Sequence, residues 1–224
     1  TDRTKFNPLA MHNHEAWGPF CGCGFLGAAI RSANFNVVRA ADNVKDMAQT
    51  YVKNHGSRMF SSIVEMLAFE DRKFLPNLIF CGFHCTPWAV SGRALGTSAN
   101  HNWTWSISDF ARVVKFMKEN RIESFLGENV PNLIHANGGR DLQFFIDILT
   151  DAGFVVKYGI VNPNLWGLPE DRPRIIFVCL RKDIAQAVHF GQYQIISSPM
   201  RTVNYFKCIL DILDAKNTNA VGVV

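Results

Sequence analysis

No stretch of this chain is apolar for long enough to cross a membrane, since a spanning helix needs about 20 such residues. The N-terminal "TDRTKFNPLAMHNHEAWGPF" has no apolar signal-peptide core, which argues against secretion. No dense block of Lys or Arg appears, and the net charge is only +4, from 23 basic and 19 acidic residues. That balance permits a nucleic-acid partner without demanding one. Internal repeats and low-complexity tracts are absent, so solenoids and flexible linkers are excluded. The six cysteines are too few and too unevenly spread to read as a disulfide framework, so reduced thiols in a cytosolic setting are expected. What the chain does have is apolar surface to bury. Hydrophobic residues make up 48% and charged residues 19% of its 224 positions, enough for one large core. The start at Thr1 is read as trimmed or processed.

Strand-like and helix-like segments alternate. "FNVVRAAD" (35–42), "PNLIFCG" (76–82), "ESFLGEN" (123–129), "FVVKYGIV" (154–161) and "RIIFVCL" (174–180) are predicted strands, short apolar runs bounded by turn residues. "NVKDMAQTYVKNH" (43–55), "SISDFARVVKFMKEN" (106–120) and "RDLQFFIDILTDAG" (140–153) are predicted helices. In the second, Ser106 and Asp109 have capping-box spacing, and Phe110, Val113, Val114 and Met117 share one face. In the third, Leu142, Phe145, Ile146 and Leu149 form the stripe and Gly153 is the expected stop. Strands separated by helices of this length predict an α/β fold with a doubly wound, mostly parallel sheet. Ligands of such sheets bind beyond the carboxyl ends of the strands. Asp42, Cys85 and Glu128 all end or follow strands, so a site is expected at that edge. The first strand is the weak point: "HNHEAWGPF" has few β-branched residues and contains Pro19.

Phe20-x-Gly22-x-Gly24 opens a helix with small residues Ala28 and Ala29, and Asp42 follows Gly22 by 20 residues at the end of the next strand. Glycines permit a tight turn and close backbone approach to a ligand. A carboxylate at that spacing is suited to accept two ribose hydroxyls. The pattern indicates an adenosine-containing cofactor, and both NAD and S-adenosylmethionine satisfy it. A solvated Asp beside a plain strand-helix turn is the bland alternative. His12, His14, Cys21 and Cys23 do not have a usual zinc spacing, and no metal is expected.

"GFHCTPWAVSG" places Cys85 just past a buried strand, "LGENVPNL" carries Glu128, and "WGLPEDRPRIIFVCLRKD" carries Arg172 and Arg174. Taken with the glycine turn and "DNVKDMAQTYVKNH", these segments resemble, in order and spacing, the cytosine-C5 DNA methyltransferases. That family's patterns are F-x-G-x-G-G, an acid followed by T-Y-x-x-N, G-x-P-C-Q-P-F-S, E-N-V and Q-x-R-x-R. The resemblance runs from about residue 20 to 183. It implies a Rossmann-like S-adenosylmethionine-dependent fold, with Phe20, Gly22, Gly24 and Asp42 at the cofactor, Cys85 as nucleophile, Glu128 as acid, and Arg172 and Arg174 as supporting cations. Taken singly, each has a structural reading: Cys85 as a buried hydrophobe, Glu128 as a solvated strand end, the arginines as partners of Glu170 and Asp171.

The implied chemistry explains the residue types. Cytosine C5 becomes nucleophilic only after a thiolate adds to C6, and a cysteine provides that thiolate near neutral pH. Charge developing at N3 calls for an acid, and O2 for an arginine, Arg174 in first place. The base must leave the duplex stack to react. The sequence also departs from the family pattern. His84 and Thr86 flank Cys85, Trp88 replaces Phe, Phe25 replaces a Gly and Glu170 replaces Gln. The family's Asp near the adenine amino group has no clear match; Ser62 and Ile63 stand there.

The resulting expectation is a DNA (cytosine-5) methyltransferase core at 20–183, between an N-terminal extension (1–19) and a C-terminal extension (184–224). Its partners are DNA and a companion chain or further segment carrying a recognition domain, with no membrane. Its location is cytoplasmic, at the nucleoid, or nuclear in a eukaryote. Rivals are a tRNA cytosine-C5 methyltransferase, a silent regulatory module of the same fold and an NAD-dependent oxidoreductase.

Overall fold

The computed structural model describes residues 14–56, 58–68, 75–83 and 104–192. Seven strands form one sheet: β1 (Glu15–Pro19), β2 (Asn36–Ala41), β3 (Arg58–Phe60), β4 (Leu78–Gly82), β5 (Ser124–Asn129), β6 (Phe154–Val161) and β7 (Arg174–Arg181). The helices are α1 (Phe25–Ser32), α2 (Lys45–His55), α3 (Ile63–Ala68), α4 (Thr104–Glu119), α5 (Arg140–Asp151) and α6 (Lys182–Ala187). Strand order is β3-β2-β1-β4-β5-β7-β6. The pairs from β3 through β5 are parallel, while β7 runs antiparallel to both β5 and β6.

The doubly wound architecture follows from strand alternation. Successive side chains of a strand point to opposite faces. Ala16, Leu78 and Phe80 pack with Val37 and Ile30 on one face, with Leu26 of α1 against them. Trp17, Ile79 and Cys81 join Phe110, Val113 and Met117 of α4 and Phe145 and Leu149 of α5 on the other. The predicted stripes of α4 and α5 are therefore the core-facing ones, though Ile146 is only partly buried. Gly153 stands just past α5 at φ 92°, with its N–H on the Thr150 carbonyl, the left-handed stop expected of it.

Two local readings are corrected. β1 is a central, buried strand despite its composition. Pro19 is tolerated because it is the last strand residue, and the ladder continues through the Cys21 N–H to the Ala41 carbonyl. The predicted capping box at Ser106 is not the start of α4. The helix begins at Thr104, which places Ser106 inside its first turn.

Below the site, Phe83 meets Phe110 at 5.1 Å, Phe145 at 4.7 Å and Phe177 at 6.1 Å between ring centroids. This cluster anchors the chain at the exit of β4, two residues before Cys85.

Candidate functional site

The carboxyl ends of β1 to β5 share one edge. Between β1 and β4 the chain turns from building outward in one direction to building in the other, which is where open α/β sheets bind ligands. At the end of β1, Phe20 takes φ 55° and Gly22 φ 54°. Gly24 caps α1 at φ 103°. A Cβ at Gly24 would run into the His55 ring and Tyr51, so only glycine fits this turn. The Gly22 N–H donates to Asp42 Oδ2 at 2.8 Å, and the Val44 N–H donates to Oδ1 at 2.9 Å. The β1 turn and the β2 end are thus fastened together by the carboxylate predicted for the cofactor, and each oxygen retains a lone pair for a ligand.

An open cleft lies here, lined among others by Phe20, Asp42, Asn43, Ser62, Ile63 and Asp109. Ser62 Oγ accepts the Glu65 N–H at 3.1 Å and so opens α3. Ser61 donates to the Glu65 carboxylate at 2.8 Å.

The second half of the site stands on β5 and β7. Because β7 runs antiparallel, its first residue comes to the edge where β5 ends. Arg174 Nε reaches Glu128 Oε1 at 2.7 Å, with both side chains less than a third exposed. Gly82 is the register partner of Glu128, and a Cβ there would stand 3.1 Å from Glu128 Oε2. The glycine leaves room for the carboxylate. Arg172 is not drawn into this pair. It precedes the strand, is more than half exposed and faces Glu170 at 3.8 Å, while its N–H donates to Asn162 Oδ1.

Cys85, with His84, Thr86 and Trp88 beside it, lies outside the described residues. Among the described cysteines three are buried thiols. Burial first, and the Asp42 charge second, push Cys21 up to about 12. Burial likewise raises Cys81 and Cys179 far out of the nucleophilic range.

Sequence reasoning missed Asn129. It is fully buried. Its Nδ2 donates to the Phe83 carbonyl at 3.0 Å and its Oδ1 accepts the Val130 N–H at 2.8 Å. The signal was available: an amide directly after Glu128 at a strand end has a buried partner to satisfy. Asn129→Ala orphans the Phe83 carbonyl and is expected to lower stability by about 1–3 kcal/mol. Urea unfolding checks this; an unchanged midpoint would remove Asn129 as the anchor of the segment leading to Cys85.

A sheet of this order, with an antiparallel β7 between β5 and β6, has the Rossmann-like topology found in methyltransferases that use S-adenosylmethionine. Solved structures agree on the fold. A methyltransferase of Entamoeba histolytica, EhMeth, superposes with a TM-score of 0.63 over 86% of this chain and 58% of its own, at 16% identity. The S. pombe Dnmt2 methyltransferase gives 0.57 over 84% and 57%, at 19% identity. The model of the C-5 cytosine-specific DNA methylase family matches residues 19–221, and the chain belongs to that family. Among curated relatives, the Type II methyltransferase M.MthTI of Methanothermobacter thermautotrophicus is 29% identical over 74% of this chain and 48% of its own length. M.BanI of Aneurinibacillus aneurinilyticus is 29% identical over 68% and 34%. The chain therefore spans half or less of these two relatives. Among the described residues, no helix is long and apolar enough to cross a membrane.

Proposed function

We propose that this chain is the catalytic core of a DNA (cytosine-5) methyltransferase that uses S-adenosylmethionine. The observation that carries the reading is that two groups of polar side chains stand on one sheet edge: the cleft lined by Asp42 and the Glu128–Arg174 pair. The residues present fit the cofactor. Asp42 faces the cleft with its carboxylate oriented by two backbone N–H groups, ready for a ribose diol. Phe20 and Ile63 offer apolar surface for a purine, and the Gly22–Gly24 turn admits close backbone approach. When bound, S-adenosylmethionine supplies an electrophilic methyl group on a sulfonium.

The chain's own residues then act on a cytosine turned out of the duplex. The Cys85 thiolate adds to C6, forming the carbon–sulfur bond and shifting an electron pair toward C5. Glu128 meets N3, where negative charge develops. Arg174 holds Glu128 and reaches for O2. After C5 takes the methyl, its proton is lost to a base and the returning electron pair expels the Cys85 thiolate. Arg172, paired with Glu170 outside this group, serves at most as a peripheral cation toward DNA phosphate.

The cofactor half is tested by calorimetry. Asp42→Ala is expected to weaken S-adenosylmethionine binding by about 1.5–3 kcal/mol, the value of hydrogen bonds to a charged acceptor. Binding of NAD by the parent protein, with none of S-adenosylmethionine, would overturn the assignment.

A further inference from the structure

We infer that Asn162, at the exit of β6, is a positioning residue for methyl transfer: it fixes the segment that enters β7 and so aims the Arg174 guanidinium at the base. The inference rests on the function proposed above and deepens it. Arg174 is held from two sides. Its Nε–H donates to Glu128 Oε1 at 2.7 Å, and its Nη1–H donates to the Pro173 carbonyl at 2.8 Å. The direction of the guanidinium therefore depends on where the Pro173 carbonyl stands.

The backbone ladder does not fix that carbonyl. β6 and β7 pair as far as Val161 and Arg174. The next residue outward on the β7 side is Pro173, which has no N–H to extend the ladder. A side chain takes over there. Asn162 Oδ1 accepts the Arg172 N–H at 3.1 Å, and its Nδ2–H donates to Asp171 Oδ1 at 2.8 Å. The two ends of one amide thus grip two successive residues of the returning chain. Asn164 Nδ2–H adds a longer bond to the same Asp171 oxygen, at 3.4 Å.

Asn162 also departs from the habit of its residue type. It stands at the N-cap of the single 3-10 turn Pro163–Trp166, where an asparagine ordinarily bonds the backbone N–H groups of the turn. Here its side chain makes no cap bond. The main chain closes the turn, with the Leu165 N–H on the Asn162 carbonyl at 3.0 Å, and the amide reaches across the loop instead. One line of contacts then runs from Asp171 and Asn162 through Arg172 and Pro173 to Arg174 and Glu128. The two clamp bonds are solvent-exposed, so water can replace them and folding loses little. What water does not restore is the direction of the guanidinium, and misplacement of a reacting-site group is felt in the rate.

The readout is single-turnover methylation of a cytosine-rich duplex by the full chain with S-adenosylmethionine. Asn162→Ala is expected to slow methyl transfer by about 10- to 100-fold, with cofactor affinity within about threefold of the parent. Asp171→Asn keeps an oxygen for the Asn162 Nδ2–H and should stay within about threefold of the parental rate. Arg174→Lys keeps the charge but lacks the planar fork that joins Glu128 to the Pro173 carbonyl. In that background Asn162→Ala is expected to add less than about twofold, because residues that act as a unit do not lose rate independently. A merely structural role would lose the same factor in both backgrounds. Either that result or an Asn162→Ala protein at the parental rate would overturn the positioning role and leave the proposed function standing. No methylation by the parent protein would sink both.

Discussion

Replacing Glu128 by glutamine is expected to lower the rate of methyl transfer by about 10²–10⁴-fold, the usual contribution of a positioned acid. Cofactor binding should stay within about threefold of the parent value. Glutamine keeps the shape of the side chain and an oxygen that still accepts the Arg174 Nε–H, so the local geometry survives. What it lacks is a carboxyl group able to carry a proton to N3. The Glu128–Arg174 pair, at 2.7 Å, is partly exposed, so its conversion from an ion pair to a hydrogen bond with one charged partner should cost about 1 kcal/mol of stability or less. The effect thus belongs in the turnover rate and not in folding. Single-turnover methylation of a duplex, compared with the urea midpoint of the same variant, separates the two. A Glu128→Gln protein that turns over within about threefold of the parent would contradict the acid role.

Cys85→Ser is expected to abolish turnover while S-adenosylmethionine still binds. The hydroxyl occupies nearly the same volume but is hardly ionised at neutral pH, so it cannot add to C6. The buried thiols provide the control. Cys81 and Cys179 lie in the sheet with their protons held by burial, and conversion of either to alanine should cost stability rather than chemistry. Methylation by the Cys85→Ser protein at the parental rate would mean that another group attacks the ring.

Strand positions and core stripes were legible because burial imposes a period. Phe110, Val113, Val114 and Met117 recur at helical spacing and are all buried. Phe125, Gly127 and Asn129 alternate inward along β5. The glycine turn and Asp42 were legible because their spacing is fixed by one strand, one helix and one more strand. Interactions across the sheet left no comparable trace. Pro19 argued against β1 because the sequence does not reveal that the residue ends the strand. Arg172 and Arg174 look equivalent, two positions apart, yet β7 begins only at Arg174, so strand periodicity does not reach its neighbour. The antiparallel β7 was hidden as well, since a loop rather than a helix joins it to β6 and either direction suits such a length. Asp109 read as part of a helix cap, because the cleft it lines is assembled from the ends of β1 and β2 and from α3 as well as α4.

The central claim, covalent attack on cytosine by Cys85 at this sheet edge, is tested most directly by trapping. Fluorine at C5 cannot leave as the proton does, so duplex DNA containing 5-fluorocytosine holds the adduct at the step before elimination. Incubated with S-adenosylmethionine, the protein is expected to gain the mass of one methylated DNA strand. Peptide mapping should place the attachment on Cys85, and the Cys85→Ser protein should gain nothing. Attachment at Cys23, the partly exposed thiol of the glycine turn, or binding of the fluorinated duplex with no attachment at all, would contradict the account.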